Sequence, residues 1–153
     1  MKKFSIMLMV CLSVIGFVFG VHPGQAEADD FLGDFCWDFS SSVDEDPVTA
    51  TVKLGVRHMG GAHYLASGII TVTSPLVFQM PAFGNVEFVG DKIHVTLSYQ
   101  GRRYENEESF TVGTDMTTII LDPATLNGTT RGIGIYYDGA ELSEGTVTFR
   151  SCQ

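Results

Sequence analysis

Cysteine is scarce here, and its spacing excludes more than its number does. The chain has three cysteines, Cys11, Cys36 and Cys152, and no Cys-x-x-Cys anywhere. That spacing is what a structural zinc site, a thioredoxin-like redox centre and a c-type haem attachment all need, so none is expected. Positive charge is also thin: 9 Lys and Arg face 18 Asp and Glu, a formal net charge of −9. Apart from Arg102-Arg103 the basic residues are scattered, and a polyanion such as nucleic acid has no basic footprint to grip. Beyond residue 28 no segment keeps helical periodicity for ten residues, so an all-β domain is expected. Catalytic signatures are missing as well. No serine stands in a Gly-x-Ser-x-Gly elbow, and paired carboxylates fall in polar loops where burial cannot raise their pKa. The acids Asp44-Glu45-Asp46 lack the ligand spacing of an EF-type loop and read as a solvated turn.

The one long apolar run lies at the beginning. Lys2 and Lys3 precede an almost unbroken apolar stretch from Phe4 to Val21, and Ala26-Glu27-Ala28 supplies a small-residue cleavage pattern. Residues 1–28 are therefore expected to be a signal peptide and residues 29–153 the domain. Cleavage after Ala26 is the near alternative, and an uncleaved anchor the other, although the run is short for a membrane span. The expected location is periplasmic or secreted, with no stable membrane insertion after cleavage. Removal of the leader takes Cys11 with it. Two cysteines then remain in an oxidising compartment, and the simplest expectation is one disulfide, Cys36–Cys152.

What the domain does have is alternation. From Phe31 to Ser40 the odd positions hold Phe31, Gly33, Phe35, Trp37 and Phe39, an aromatic face that needs a core. Val48–His58 alternates likewise, and Gly60-Gly61 is a hairpin signal into His63–Thr73. Further candidate strands are Phe83–Val89, Lys92–Tyr99, Arg102–Val112, Met116–Leu121, Thr129–Tyr137 and Gly145–Cys152. Gly90-Asp91, Gln100-Gly101, Gly113-Thr114-Asp115 and Asp138-Gly139 read as the turns between them. Sequential hairpins make a meander, and a long meander hides its edges by closing. The expectation is one antiparallel up-and-down barrel of about eight to nine strands, with a β-sandwich as alternative. Glycines within strands (Gly55, Gly68, Gly132, Gly134) fit the bends of a barrel. Alternation also puts Cys36 and Cys152 on the outer side together, as a bond between neighbouring first and last strands requires.

At this level the chain resembles the lipocalin-like, or calycin, barrels. The resemblance is carried by Gly33 and Trp37 in the first strand, Thr114-Asp115 before a late strand, and Arg150 in the last. The Gly-to-Trp gap is four residues where that family usually has two, and Met116 stands where it commonly has Tyr. The resemblance spans the order of elements along the domain and implies the barrel architecture. It says little of activity, since such barrels host many.

Few residues then remain for chemistry. His58 and His63 flank the Gly60-Gly61 hairpin, but no third ligand accompanies them, and neither a metal nor a cofactor is expected. Trp37 is expected to be a structural plug. Tyr64, Tyr99 and Tyr137 are the candidate ligand-binding residues, hydroxyl tips among inward apolar side chains. An eight-stranded barrel is near the size at which the interior either fills or holds one small ligand. The favoured reading is thus an exported barrel binding a small, largely apolar molecule inside, and an enzyme is disfavoured. The alternative is a protein-binding module, an inhibitor or envelope accessory factor, acting through its loops and an apolar patch around Leu76–Phe83.

Overall fold

The computed structural model describes residues 30–43, 46–104 and 110–152. The proposed leader lies outside them. Eight strands follow one another: β1 (Asp30–Val43), β2 (Asp46–His58), β3 (Tyr64–Ser74), β4 (Phe78–Val89), β5 (Lys92–Tyr104), β6 (Phe110–Leu121), β7 (Gly128–Tyr136) and β8 (Gly139–Arg150). Each pairs antiparallel with the next, and β1 pairs with β8, so the sheet closes into one barrel. Closure gives every described strand a neighbour on both sides. The barrel expectation holds, with eight strands, and the sandwich alternative falls.

Several sequence readings change: β4 starts at Phe78 instead of Phe83, and β8 runs from Gly139 to Arg150 instead of from Gly145 to Cys152. Gln100-Gly101 and Gly113-Thr114-Asp115 are not turns: β5 runs on to Tyr104, β6 begins at Phe110, and Gly101 lies opposite Gly113 in the ladder. The single candidate strand Arg102–Val112 is therefore the meeting ends of two strands. Phe31 also leaves the aromatic face. A bulge between Phe31 and Gly33, with Gly33 at φ 131°, pairs Phe31 with Arg57 and turns it outward. Glycine takes that backbone angle without a Cβ clash. Phe31 is 56% exposed, under the Arg57 guanidinium at 5.5 Å from the ring centre.

Inward residues follow the alternation of the other strands. Trp37, Val52, Leu54, Leu97, Ile119 and Val147 form a packed core and are each at most 3% exposed. The barrel is sealed at this end by the segment between β6 and β7. Asp122 accepts hydrogen bonds from the backbone N–H of Ala124 and Thr125, and Leu126 N–H returns to the Asp122 carbonyl. The Trp37 indole Nε1 donates to the Leu126 carbonyl at 2.9 Å, and Asn127 Oδ1 accepts from Phe149 N–H at 2.8 Å. The segment is thus tied to both seam strands.

The seam is also bonded covalently. Cys36 and Cys152 form a disulfide, with Cα atoms 5.2 Å apart across a separation of 116 residues. Cys36 lies opposite Arg150 on the outer side, where Arg150 Nε is 2.9 Å from Asp38 Oδ1. Arg150 therefore takes no part in the packing around the indole; that belongs to Phe35 and Phe149, 6.1 and 5.9 Å away between ring centres. Among the described residues no helix is long and apolar enough to cross a membrane.

Candidate functional site

Antiparallel hairpins put the β1–β2, β3–β4, β5–β6 and β7–β8 connections at the end opposite the sealed one. Below these the interior is not filled. A cavity of about 380 Å³ runs between the two halves of the barrel wall. Side chains from β1 to β4 make one wall apolar, with Phe39, Val48, Ile70, Val72, Phe78 and Met80. The facing wall, from β5 to β8, is polar: Tyr99, Asp115, Thr117, Tyr136, Glu141 and Ser143. The division follows from alternation. Tyr99 pairs with Asp115, Asp115 with Gly134 and Gly134 with Glu141, so all four positions face inward in one row across four strands.

Glycine makes the room for that row. A Cβ at Gly101 would collide with the Asp115 carboxyl, and one at Gly134 would lie 2.6 Å from Asp115 Oδ1. Both positions are empty of side chain where the carboxylate lies, so Asp115 fits within the wall. The Tyr136 hydroxyl donates to Asp115 Oδ1 at 3.3 Å, and the Tyr99 and Thr117 hydroxyls are hydrogen-bonded at 2.8 Å. Arg102 stands at the rim, its guanidinium 5.7 Å from the Phe78 ring centre.

Burial shapes the electrostatics. Desolvation pushes the Asp115 pKa up to about 6, opposed by the Tyr136 hydrogen bond and reinforced by the Glu141 carboxylate. Desolvation likewise lifts Tyr99 to about 12, against the Thr117 hydrogen bond. The Tyr136 hydroxyl is raised too, first by burial and then by the Asp115 charge beside it. At neutral pH the wall therefore presents two neutral phenols and a carboxylate that ionises with more difficulty than usual.

The expected tyrosines separate. Tyr99 lines the cavity. Tyr64 faces inward but packs toward the sealed end, against His58 and Phe88 with ring centres 5.0 and 5.8 Å away, and does not line it. Tyr137 does not point inward at all; it follows β7 and is 82% exposed. Its neighbour Tyr136 takes the interior place, on the same parity as Gly132 and Gly134. Trp37 is 2% exposed and lies in the packed core, away from the cavity lining. His58 turns its Nε2 to the Gly61 carbonyl at 2.9 Å, inside its own hairpin. No three metal-ligating side chains gather among the described residues.

Sequence reasoning missed Asp115, Thr117, Tyr136 and Glu141. The signal was present for Asp115 and Thr117, which share parity with the buried Ile119 and Leu121. It was overridden by the turn-like look of Gly113-Thr114-Asp115.

Fold and site together define a closed eight-stranded antiparallel up-and-down barrel with a two-sided interior cavity, an architecture compatible with the lipocalin-like barrels. Comparison with family models, curated proteins and solved structures gave no match.

Proposed function

We propose that this protein is exported and holds one small, largely apolar molecule inside the barrel. The observation that carries the reading is the cavity of about 380 Å³, within the range of about 300–1,000 Å³ typical of small-molecule sites. Its apolar wall gives a ligand surface to leave water against, and its hydroxyls give it an orientation. The disulfide fits an oxidising compartment, in keeping with the leader-like start of the chain.

Native mass spectrometry of protein purified from its own host should find a co-purifying molecule, and N-terminal sequencing should start near Asp29. Titration with apolar and aromatic probes should be saturable, and Tyr99→Ala should weaken at least one probe about tenfold. An empty protein that binds none of the probes would reject the interior site. Weight would then pass to the protein-binding alternative, which has its own observation. On the outer face Met116, Ile133 and Leu142 lie side by side across three strands, 47%, 38% and 68% exposed, and Val77 and Phe83 are 77% and 63% exposed.

A further inference from the structure

The cavity's polar wall is specific enough to name the head group of its ligand. The Asp115 carboxylate has one hydrogen bond among the described residues, from the Tyr136 hydroxyl at 3.3 Å to Oδ1. That is long for a bond between hydroxyl and carboxylate, and an ionised carboxylate accepts at about four sites. A half-buried carboxylate with spare acceptor capacity is costly unless a donor meets it. None of the other polar groups lining the cavity is shown hydrogen-bonded to Asp115: the Tyr99 and Thr117 hydroxyls bond each other, and the Arg102 guanidinium lies over Phe78 at the rim. Glu141 adds a second carboxylate on the same wall, close enough to raise the Asp115 pKa. An anionic head brought beside these two carboxylates would meet like charge in a poorly solvated place, with Arg102 at the rim as the one basic side chain of the lining to oppose it.

We propose that the cavity selects an amphipathic amine, with its apolar body along the β1–β4 wall and its ammonium hydrogen-bonded to Asp115. An ammonium supplies three donors and the opposite charge, which meets the unfilled acceptors of Asp115 directly. The opposite wall, with Ile70, Val72, Phe78 and Met80, receives the hydrocarbon. This inference rests on interior binding as proposed above and adds the ligand class to it.

A matched set separates the two ideas. Decylamine, 1-decanol and decanoate share a body and differ in the head, and each is titrated calorimetrically into the mature disulfide-bonded protein at pH 7.5. Decylamine should bind at least about tenfold tighter than decanoate. Asp115→Asn should cut decylamine affinity about tenfold while leaving 1-decanol within about twofold. If the three bind equally, or decanoate binds best, the amine assignment is wrong while interior binding stands. If none binds, interior binding itself fails. Decylamine binding that Asp115→Asn leaves unchanged would be adsorption to an acidic surface, and it also overturns the assignment. A second readout needs no variant. The charged and titratable groups facing Asp115 are Tyr99 and Arg102 from β5, Tyr136 from β7 and Glu141 from β8. Asp115 itself, held at about 6 by burial, loses its charge as pH falls from 7.5 to 5. Decylamine affinity should therefore fall several-fold from pH 7.5 to 5 while that of 1-decanol stays flat; parallel behaviour of the two would count against the salt bridge.

Discussion

Asp115 is the residue at which the chain departs most from what its neighbours would dictate. Beyond Thr117 β6 is apolar on the inner side, with Ile119 and Leu121 buried, yet Asp115 holds a carboxyl in a space kept by Gly101 and Gly134. The stability consequence follows from the direction of its shift. In the unfolded chain an Asp titrates near 4, and in the barrel burial holds the pKa at about 6. The folded state thus binds the proton more tightly. Its contribution to stability is fully present below about pH 4 and is lost as pH rises through about 6. Allowing for solvent screening of a partly exposed group, the swing is about 1–2 kcal/mol. Urea unfolding of the parent and of Asp115→Asn should show the variant gaining on the parent by that amount between pH 4 and 8. A difference that does not vary with pH would refute the assignment. Such a residue is hard to find by alternation alone, because Gly113-Thr114-Asp115 has the composition of a turn. Tyr136 and Tyr137 were confused for a related reason. In β7 the bulky Ile133 and Ile135 are outside and Gly132 and Gly134 inside, so the apolar pattern points the wrong way.

At the level of elements, most of the barrel was legible. Where one face is buried and no polar side chain intrudes, period-two alternation sets both the strand and its facing, as in β2, β3 and the first half of β5. The boundary errors cluster at the polar end, where β5 and β6 are long and line the cavity, and at the bulge that reverses Phe31. The tie of the sealing segment between β6 and β7 to Trp37 could not be read, since nothing local links an indole to a carbonyl 89 residues away. That tie makes a prediction. Trp37→Phe keeps an aromatic in the core but removes the donor to Leu126, and should cost about 1–2 kcal/mol. Trp37→Ala should cost about 3–5 kcal/mol. Amide exchange should quicken at Ala124 to Asn127 in the Phe variant while the β2 and β3 amides stay protected. Uniform loss of protection would mean that the segment is not held by this bond.

For the molecule as a whole, closure depends on β1 meeting β8, and the disulfide stands at that meeting. Cross-linking residues 116 apart removes chain entropy from the unfolded state worth about 4–5 kcal/mol in the simple loop model. Cys152→Ser should lower unfolding stability by up to that amount, measured in denaturant without reductant. The barrel should still form, because the seam ladder from Cys36↔Arg150 to Val43↔Ser143 does not need the bond. A variant as stable as the parent would show that the link adds nothing to the folded balance.

The same seam bears on the order of events as the chain is made. Every strand but two finds its partners in its sequence neighbours, whereas β1 must wait for β8, the last of the eight described strands to appear. A sheet of β1 to β7 without residues 139–150 would have two bare edges, because β1 and β7 both pair with β8. Cys36 likewise has no native partner before β8 is made, since Cys152 follows it. Closure of the barrel and formation of its disulfide therefore both wait on β8 and on the cysteine that follows it.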